Sequence, residues 1–437
     1  MNKSLSLRKN FLWAFFGNSV FYLCQFGIFI VLAKLGSPEM LGTYSYAVAI
    51  VIPFAIFGKL QLQVVFVTDA KNEYLFADYL VLRILTTVVT ILAITVVAAV
   101  VADSAYAAIL IIIVGAGQGF LSIREMYLSA MQKAERMDMF SISNMIQGLF
   151  GLIVFFLVIW CCHSLLLAVV GLLLVRVVSF ILYDYFVIKK LPAAIGMGDK
   201  TSADVYRNWR GLAQLVWLSI PIGITAAMIS LQVNITKYFI KHYYSETTLG
   251  YYAAMVALLA AGQMVISALG QTTCPRLAKY FVTNKTAFRH LLTKLVAVGF
   301  ILGVSGLVIT FFFGKFILTM IFSADYAVYH KEFNWIMLFG AVAYVTSFFG
   351  YGVTAARYFR IPLVIWTIVA GVTAVSCYLL VPSYSIKGAA WAMSIASGVN
   401  ILLIFVTTVV ILREPPKKPP EEPVDKCSLL VNSELSN

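Results

Sequence analysis

Acidic residues are scarce in this sequence: 19 Asp and Glu stand against 32 Lys and Arg in 437 residues, and charged residues of both signs reach only 12%. A soluble domain carries about 25% charged residues. One or two water-soluble domains are therefore excluded, and the 61% of hydrophobic residues points to a polytopic membrane protein. Cysteine is sparse too. The six (Cys24, Cys161, Cys162, Cys274, Cys377 and Cys427) show neither a metal-ligand spacing nor a paired framework, and we read them as packing residues. The four histidines sit in loops or at the ends of apolar runs, with no second ligand at helical spacing, so metal chemistry and cofactors have no support. No GxxxxGK[ST] phosphate loop occurs. Transport without a nucleotide-binding domain must draw on a gradient or on the membrane potential. The "GAGQG" at 115–119 follows no strand and lies inside an apolar run, where small residues let helices approach closely.

What is abundant is apolar length. A spanning helix needs about 20 apolar residues, and twelve such windows occur: 10–33, 43–66, 80–102, 107–130, 142–160, 165–188, 213–236, 249–273, 291–313, 333–355, 362–381 and 387–411. The expected fold is an all-α integral membrane protein of about twelve spans. The first window reads as a span and not as a cleaved leader, because it is long and continues into "VLAKLGSPE" without a small-residue cleavage site. Lys and Arg crowd one side: the outer ends hold only Lys34, Lys237, Lys241, Lys315, Lys331 and Lys387. The positive-inside bias then puts both termini in the cytoplasm. It also accounts for the net charge of +13 without nucleic acid.

The long polar connector "KKLPAAIGMGDKTSADVYRNWRG" divides the spans six and six. This predicts a first lobe over 1–188, a connector over 189–212, a second lobe over 213–411 and a disordered cytoplasmic tail over 412–437, where prolines and mixed charge preclude packing. The start of the second span, "LGTYSYAVAI", aligns on the start of the eighth, "LGYYAAMVAL", matching Leu41 with Leu249, Gly42 with Gly250 and Tyr44 with Tyr252. An offset of six spans keeps the membrane sense, so the repeat is parallel about an axis along the membrane normal.

Charge inside the windows carries the functional signal. Arg176 lies near the middle of the sixth span, Lys59 about two-thirds through the second and Arg124 about two-thirds through the fourth; only Glu125 and Asp184 are acids within windows. A central charge costs about 2.5–3.5 kcal/mol on insertion scales, so it normally faces a wet cavity or a partner. Two readings of Lys59 stand: a cavity wall, or a stem that snorkels about 10 Å to the inner interface. Arg124 beside Glu125 reads as a local ion pair or as a cavity group. Polar stripes accompany these cations at helical spacing: Asn18, Tyr22 and Gln25; Lys59 and Gln63; Arg176, Ser179 and Tyr183; Ser230, Asn234, Lys237 and Lys241; Gln263, Ser267 and Gln271. Each is either helix-to-helix glue or a cavity wall. Pro53 and Pro221 lie inside spans, where they would bend them. A cationic cleft with little deep acid selects an anion. Arg and Lys suit a diphosphate, amides and hydroxyls suit sugar, and an apolar tail can remain in the bilayer. A polyprenyl-diphosphate-linked sugar combines all three.

The segments "VLAKLGSPEMLGTYSYAVAIV", "LGYYAAMVALLAAGQMVISALGQTTCPRLAKYF" and "IKGAAWAMSIASGVNILL" resemble the oligosaccharide flippases of the multidrug/oligosaccharidyl-lipid/polysaccharide exporter superfamily, O-antigen-type repeat-unit flippases in particular, over about residues 8–411. That resemblance implies a V-shaped transporter of two six-helix lobes. It would pass undecaprenyl-diphosphate oligosaccharide from the cytoplasmic to the periplasmic leaflet of a bacterial inner membrane by alternating access, as a monomer and not as an enzyme. Lys59, Arg124 and Arg176 would form the cationic lumen. Asn18, Gln25, Gln63, Asn234, Gln263 and Gln271 would line the polar lumen and a lateral opening between the first and eighth spans. A polysaccharide polymerase and a chain-length regulator are the implied partners, beside membrane lipid. The alternative is a cation-coupled multidrug exporter of the same superfamily, which usually needs a deep carboxylate.

Overall fold

The computed structural model describes residues 7–68, 74–188, 209–356, 358 and 360–413. Among these there are helices and no strands. In chain order they are α1 (Leu7–Leu35), α2 (Pro38–Lys59), α3 (Leu62–Thr68), α4 (Phe76–Val101), α5 (Ala105–Lys133), α6 (Met137–Cys162), α7 (Leu165–Ser179) and α8 (Tyr185–Ile188). After the connector come α9 (Trp209–Tyr243), α10 (Glu246–Thr283), α11 (Lys285–Ile321), α12 (His330–Ala355) and α13 (Arg360–Arg413). Ten helical runs are long and apolar enough to cross a membrane. One of them, within α13, contains two of the expected windows and bends at Ser385 (φ 50°, ψ −130°). The window 213–236 lies in α9. Each expected window thus falls in a helical run, with 43–66 divided between α2 and α3 and 165–188 between α7 and α8, and the chain is a multi-pass membrane protein. The expected connector and tail lie outside the described residues, except that α9 already runs from Trp209 and α13 continues to Arg413.

Short polar residues start the spans. Ser37, Ser104 and Ser245 each accept from a backbone N–H of the first turn, at 3.1, 3.2 and 3.2 Å, and Asn284 does the same for α11 at 3.0 Å. Ser37 and Ser245 stand at the same offset as the aligned Leu41 and Leu249, so the repeat includes its caps. Packing repeats as well: α1 lies on α6 as α9 lies on α13, α2 on α5 as α10 on α12, and α4 on α5 as α11 on α12.

The halves meet through α2, which packs on both α9 and α10. The α2–α10 crossing is made by backbone. A Cβ on Gly42 would lie 3.0 Å from the Gly250 nitrogen and overlap the Glu246 carbonyl; a Cβ on Gly250 would lie 3.1 Å from the Gly42 nitrogen and overlap the Pro38 carbonyl. These contacts are reciprocal at one constant offset, as a two-fold pseudo-axis requires. Pro53 adds a second tie. It has no N–H for the carbonyl of Ala49 one turn earlier, and Tyr238 on α9 donates its hydroxyl to that carbonyl at 2.5 Å. A backbone acceptor freed by proline in one half is therefore satisfied by the other half. Pro221 lies on α9, its side chain outside the described residues.

Two departures from regular helix matter below. The second span is broken after Lys59, where Leu60 (φ 46°) and Gln61 (φ 51°) are left-handed without being glycine. Between α7 and α8, Phe180–Asp184 forms one π-helical turn, a one-residue insertion of the kind frequent at functional positions.

Candidate functional site

The deep charges of the first half resolve into two networks and one residue apart. In the closed network, Arg124 Nε donates to Asp184 Oδ2 at 2.8 Å, with the two side chains only 3% and 1% exposed. Arg124 Nη2 also donates to the Ser143 hydroxyl and, at 3.2 Å, to Asn144 Oδ1. Ser143 donates to Asp184, and Asn144 Nδ2 donates to Asn18 Oδ1 on α1 at 3.2 Å. The π turn makes this possible. A regular helix would continue the Arg176 face through Tyr183, whereas the inserted residue turns Asp184 inward. One of the two readings of Arg124 paired it with its neighbour Glu125, the other placed it in a cavity. The structure pairs it with Asp184, because successive residues on a helix point about 100° apart and reach different neighbours.

The open network lies near the end of the spans expected to be the inner one. Glu125 takes Lys59 Nζ at 3.3 Å and Arg83 Nη2 at 3.6 Å. Arg83 is wholly buried; its Nη1 donates to the Lys59 carbonyl at 2.7 Å, while its Nε has no partner among the described residues. Lys59 is the last residue of α2 and therefore does not share a continuous helix face with Gln63, contrary to the sequence expectation. Gln63 Nε2 instead donates to Gln132 Oε1 at 3.4 Å. Both side chains still reach one face of α5, where Glu125 and Gln132 are two turns apart. Sequence reasoning overlooked Arg83, the fourth residue of the expected window 80–102; no sequence signal set it apart, and its burial and its contacts with Lys59 and Glu125 are what reveal it.

Arg176 stands apart. Its residue is 8% exposed, yet its guanidinium makes no ion pair or hydrogen bond among the described residues. It fits over Gly117, where a Cβ would collide with Nη1. The small residues of "GAGQG" thus make room for Arg176 as well as for α4. Ser179 returns its hydroxyl to the Arg176 carbonyl at 3.1 Å. In the second half, Lys237 Nζ donates to Asn234 Oδ1 at 3.1 Å, and Asn234 Nδ2 to the Ser230 carbonyl at 2.8 Å. No carboxylate pairs with Lys237 among the described residues.

At the end of the spans expected to be the outer one, the polar stripe of α9 meets the first half. Lys241 pairs with Glu246 at 2.7 Å and with Asp103 at 3.0 Å, Thr43 donates to Glu246, and Lys34 Nζ reaches the Met320 carbonyl at 2.9 Å. These contacts tie the halves together at that end. The two pseudo-equivalent seams differ: α2 lies along α9, with Leu60 against Gly223 and Ala49 bonded to Tyr238, while α1 touches α10 only sparingly. Asn18 and Gln25 on α1 and Gln263 on α10 are half-buried, and Asn18 faces α6, where Asn144 donates to it. Gln271 is also on α10, its side chain outside the described residues. Cys24 and Cys377 are buried packing residues as expected, whereas Cys161 and Cys162 are exposed and free.

Comparison with known proteins adds the following. Residues 7–281 match the family model described as "Polysaccharide biosynthesis protein". A capsular polysaccharide biosynthesis protein, CapF of Staphylococcus aureus, is 27% identical over 402 residues, covering 90% of this chain and 97% of that protein. Among solved structures, an inward-facing multidrug resistance MATE family transporter of the MOP superfamily superposes with a TM-score of 0.72 at 10% identity, covering 91% of this chain and 98% of that one. The lipid II flippase MurJ, in an inward closed conformation, gives 0.70 at 12% identity, covering 91% and 88%.

Proposed function

We propose that this chain, which belongs to the polysaccharide biosynthesis protein family, moves undecaprenyl-diphosphate-linked oligosaccharide units from the inner to the outer leaflet of a bacterial inner membrane by alternating access. Membership of that family and a fold like those of MOP-superfamily transporters support a flippase reading in which the chain carries its cargo and does not transform it. Its two lobes, 1–188 and 213–411, would rock about the α2–α10 crossing, with both termini cytoplasmic. The observation that carries the cargo reading is Arg176, a buried cation without a counter-ion among the described residues. Such a charge is costly in a membrane unless an anion visits it. Lys237 offers a second cation from the opposite lobe, and Lys59 a third at the inner approach. Arg124, held by Asp184 and two neutral partners, would shape the site and not touch the diphosphate.

The amides fit the rest of the molecule. Asn234 would meet sugar hydroxyls, as would Gln63 near the entrance. The loose α1–α10 seam, with Asn18, Gln25, Gln263 and Gln271 on its helices, would let the lipid tail stay in the bilayer while the head group crosses. A polymerase and a chain-length regulator would receive the product. The drug-exporter alternative fares worse, because both deep carboxylates are already held by basic side chains. The test is translocation of an undecaprenyl-diphosphate oligosaccharide in proteoliposomes. We expect the parent to be active, Arg176→Ala to lose about a hundredfold in rate, or about 2.8 kcal/mol, and Lys59→Ala to lose less, with Lys59→Arg retaining function. An inactive parent, or an Arg176→Ala variant as fast as the parent, overturns the cargo assignment.

A further inference from the structure

We propose that Glu125 is a resident counter-anion which a phosphate group of the cargo displaces on entry and which returns to drive that group off. The inference rests on the cargo reading above and assigns a part to a residue that reading leaves unused.

The argument begins with a contrast inside one lobe. Charge-assisted contacts are normally about 2.7–2.9 Å long. Arg124–Asp184 meets that length at 2.8 Å and is closed off at 3% and 1% exposure. The contacts of Glu125 are slack, 3.3 Å to Lys59 and 3.6 Å to Arg83, and the Lys59 and Glu125 side chains stay 23% and 25% exposed. One carboxylate is thus shared between two cations, which leaves a net positive charge and the buried Arg83 Nε without a partner among the described residues. The closed network has no vacancy for another acceptor. The open one does.

Mobility is distributed to match. Arg83 is fixed by burial and by its bond to the Lys59 carbonyl, and that bond also holds the last turn of α2 before the left-handed pair Leu60 and Gln61. The backbone under Lys59 is therefore held in place while its four-carbon stem and the Glu125 side chain can swing. A phosphate oxygen accepts from the same donors as a carboxylate oxygen. A diphosphate brings about two negative charges, which match Lys59 and Arg83 together. Once it binds, like charge expels Glu125 toward the exposed side; when the head group moves on, Glu125 closes the pair again. A site of bare cations would hold a diphosphate too tightly to release it, and the resident carboxylate lowers that affinity.

The test uses the full chain in lipid nanodiscs, with inorganic pyrophosphate and undecaprenyl diphosphate as two probes. Glu125→Gln keeps the shape and removes the charge. We expect it to bind undecaprenyl diphosphate about tenfold tighter than the parent and to translocate more slowly, with Lys59→Gln added to Glu125→Gln removing the gain. Glu125→Asp, a shorter carboxylate, should tighten binding by a smaller factor and serves as the second variant should Glu125→Gln fold poorly. Tightening with both probes assigns recognition to phosphate alone; tightening only with the lipid assigns it to the head group in its membrane setting. Affinity in folded Glu125→Gln or Glu125→Asp equal to or weaker than the parent's overturns the counter-anion role and leaves the flippase reading intact. A parent that binds neither probe overturns the cargo reading itself.

Discussion

In the first half of the chain, α4, α5 and α7 bury Arg83, Arg124 and Arg176, and among the described residues only Glu125 and Asp184 form ion pairs with them. In the second half, many hydroxyls of α12 and α13 turn back on their own helices, as Thr346 does to Val342, Ser347 to Ala343, Ser394 to Ala390, Thr407 to Leu403 and Thr408 to Ile404, and the buried ties to neighbouring helices are neutral: Tyr344 donates to the Leu259 carbonyl at 2.8 Å and Gln232 to Thr373 at 3.3 Å. Both halves pack on the same plan, so the difference is chemical and not topological. Hydroxyls satisfied one turn back make no lasting tie to a neighbour and soften a helix toward bending. Buried charges do the reverse, locking three or four helices together through one group. The first half thus concentrates its buried polar ties in charged groups, and the second in neutral ones.

Three substitutions would break or sharpen that contrast. Arg124→Ala carries the largest expected effect. It leaves Asp184 buried without its cation, and breaking one side of such a pair costs about 3–5 kcal/mol. Thermal melting in detergent should show a drop of many degrees for this variant and none of comparable size for Arg176→Ala, whose side chain has no partner to orphan. Equal melting for parent and Arg124→Ala would dissolve the division between closed and open networks. Tyr238→Phe comes next. It deprives the Ala49 carbonyl of its donor at a cost of about 1–3 kcal/mol, and since the bond crosses between halves, the loss should favour opening of the outer side. Spin labels placed across the outer end would report the wider distances, and adding Pro53→Ala, which restores an N–H within α2, should narrow them again. Ser394→Ala should change stability and transport by no more than about 0.5 kcal/mol; a larger loss in either assay would mean that the second half also depends on its polar groups.

Much of this was legible in the amino-acid order. The apolar windows, the parallel repeat at Gly42 and Gly250, and the depth of Arg176 follow from run length and spacing, which the membrane enforces through one-dimensional rules. The break after Lys59 was not legible, because neither Leu60 nor Gln61 is a residue that favours a left-handed backbone. Tertiary contacts, among them Arg83 on the Lys59 carbonyl, impose it. The ion pairs were also out of reach, since Arg124 and Asp184 are far apart in sequence and become neighbours only through α5, α7 and the π turn. Arg83 sits close enough to a span end to pass for an interfacial residue, and only its complete burial shows otherwise.

The crossing of α2 and α10 encodes its instruction in two missing side chains. Because Gly42 and Gly250 each rest on the other helix's main chain, the closeness of the joint is set by backbone, and the side chains around it, such as Thr43 on Glu246, add to a contact that the glycines make possible. The instruction is also written twice, once in each copy of the repeat. Damage at either glycine should therefore produce the same fault, and a methyl group at both should be no remedy for a methyl group at one.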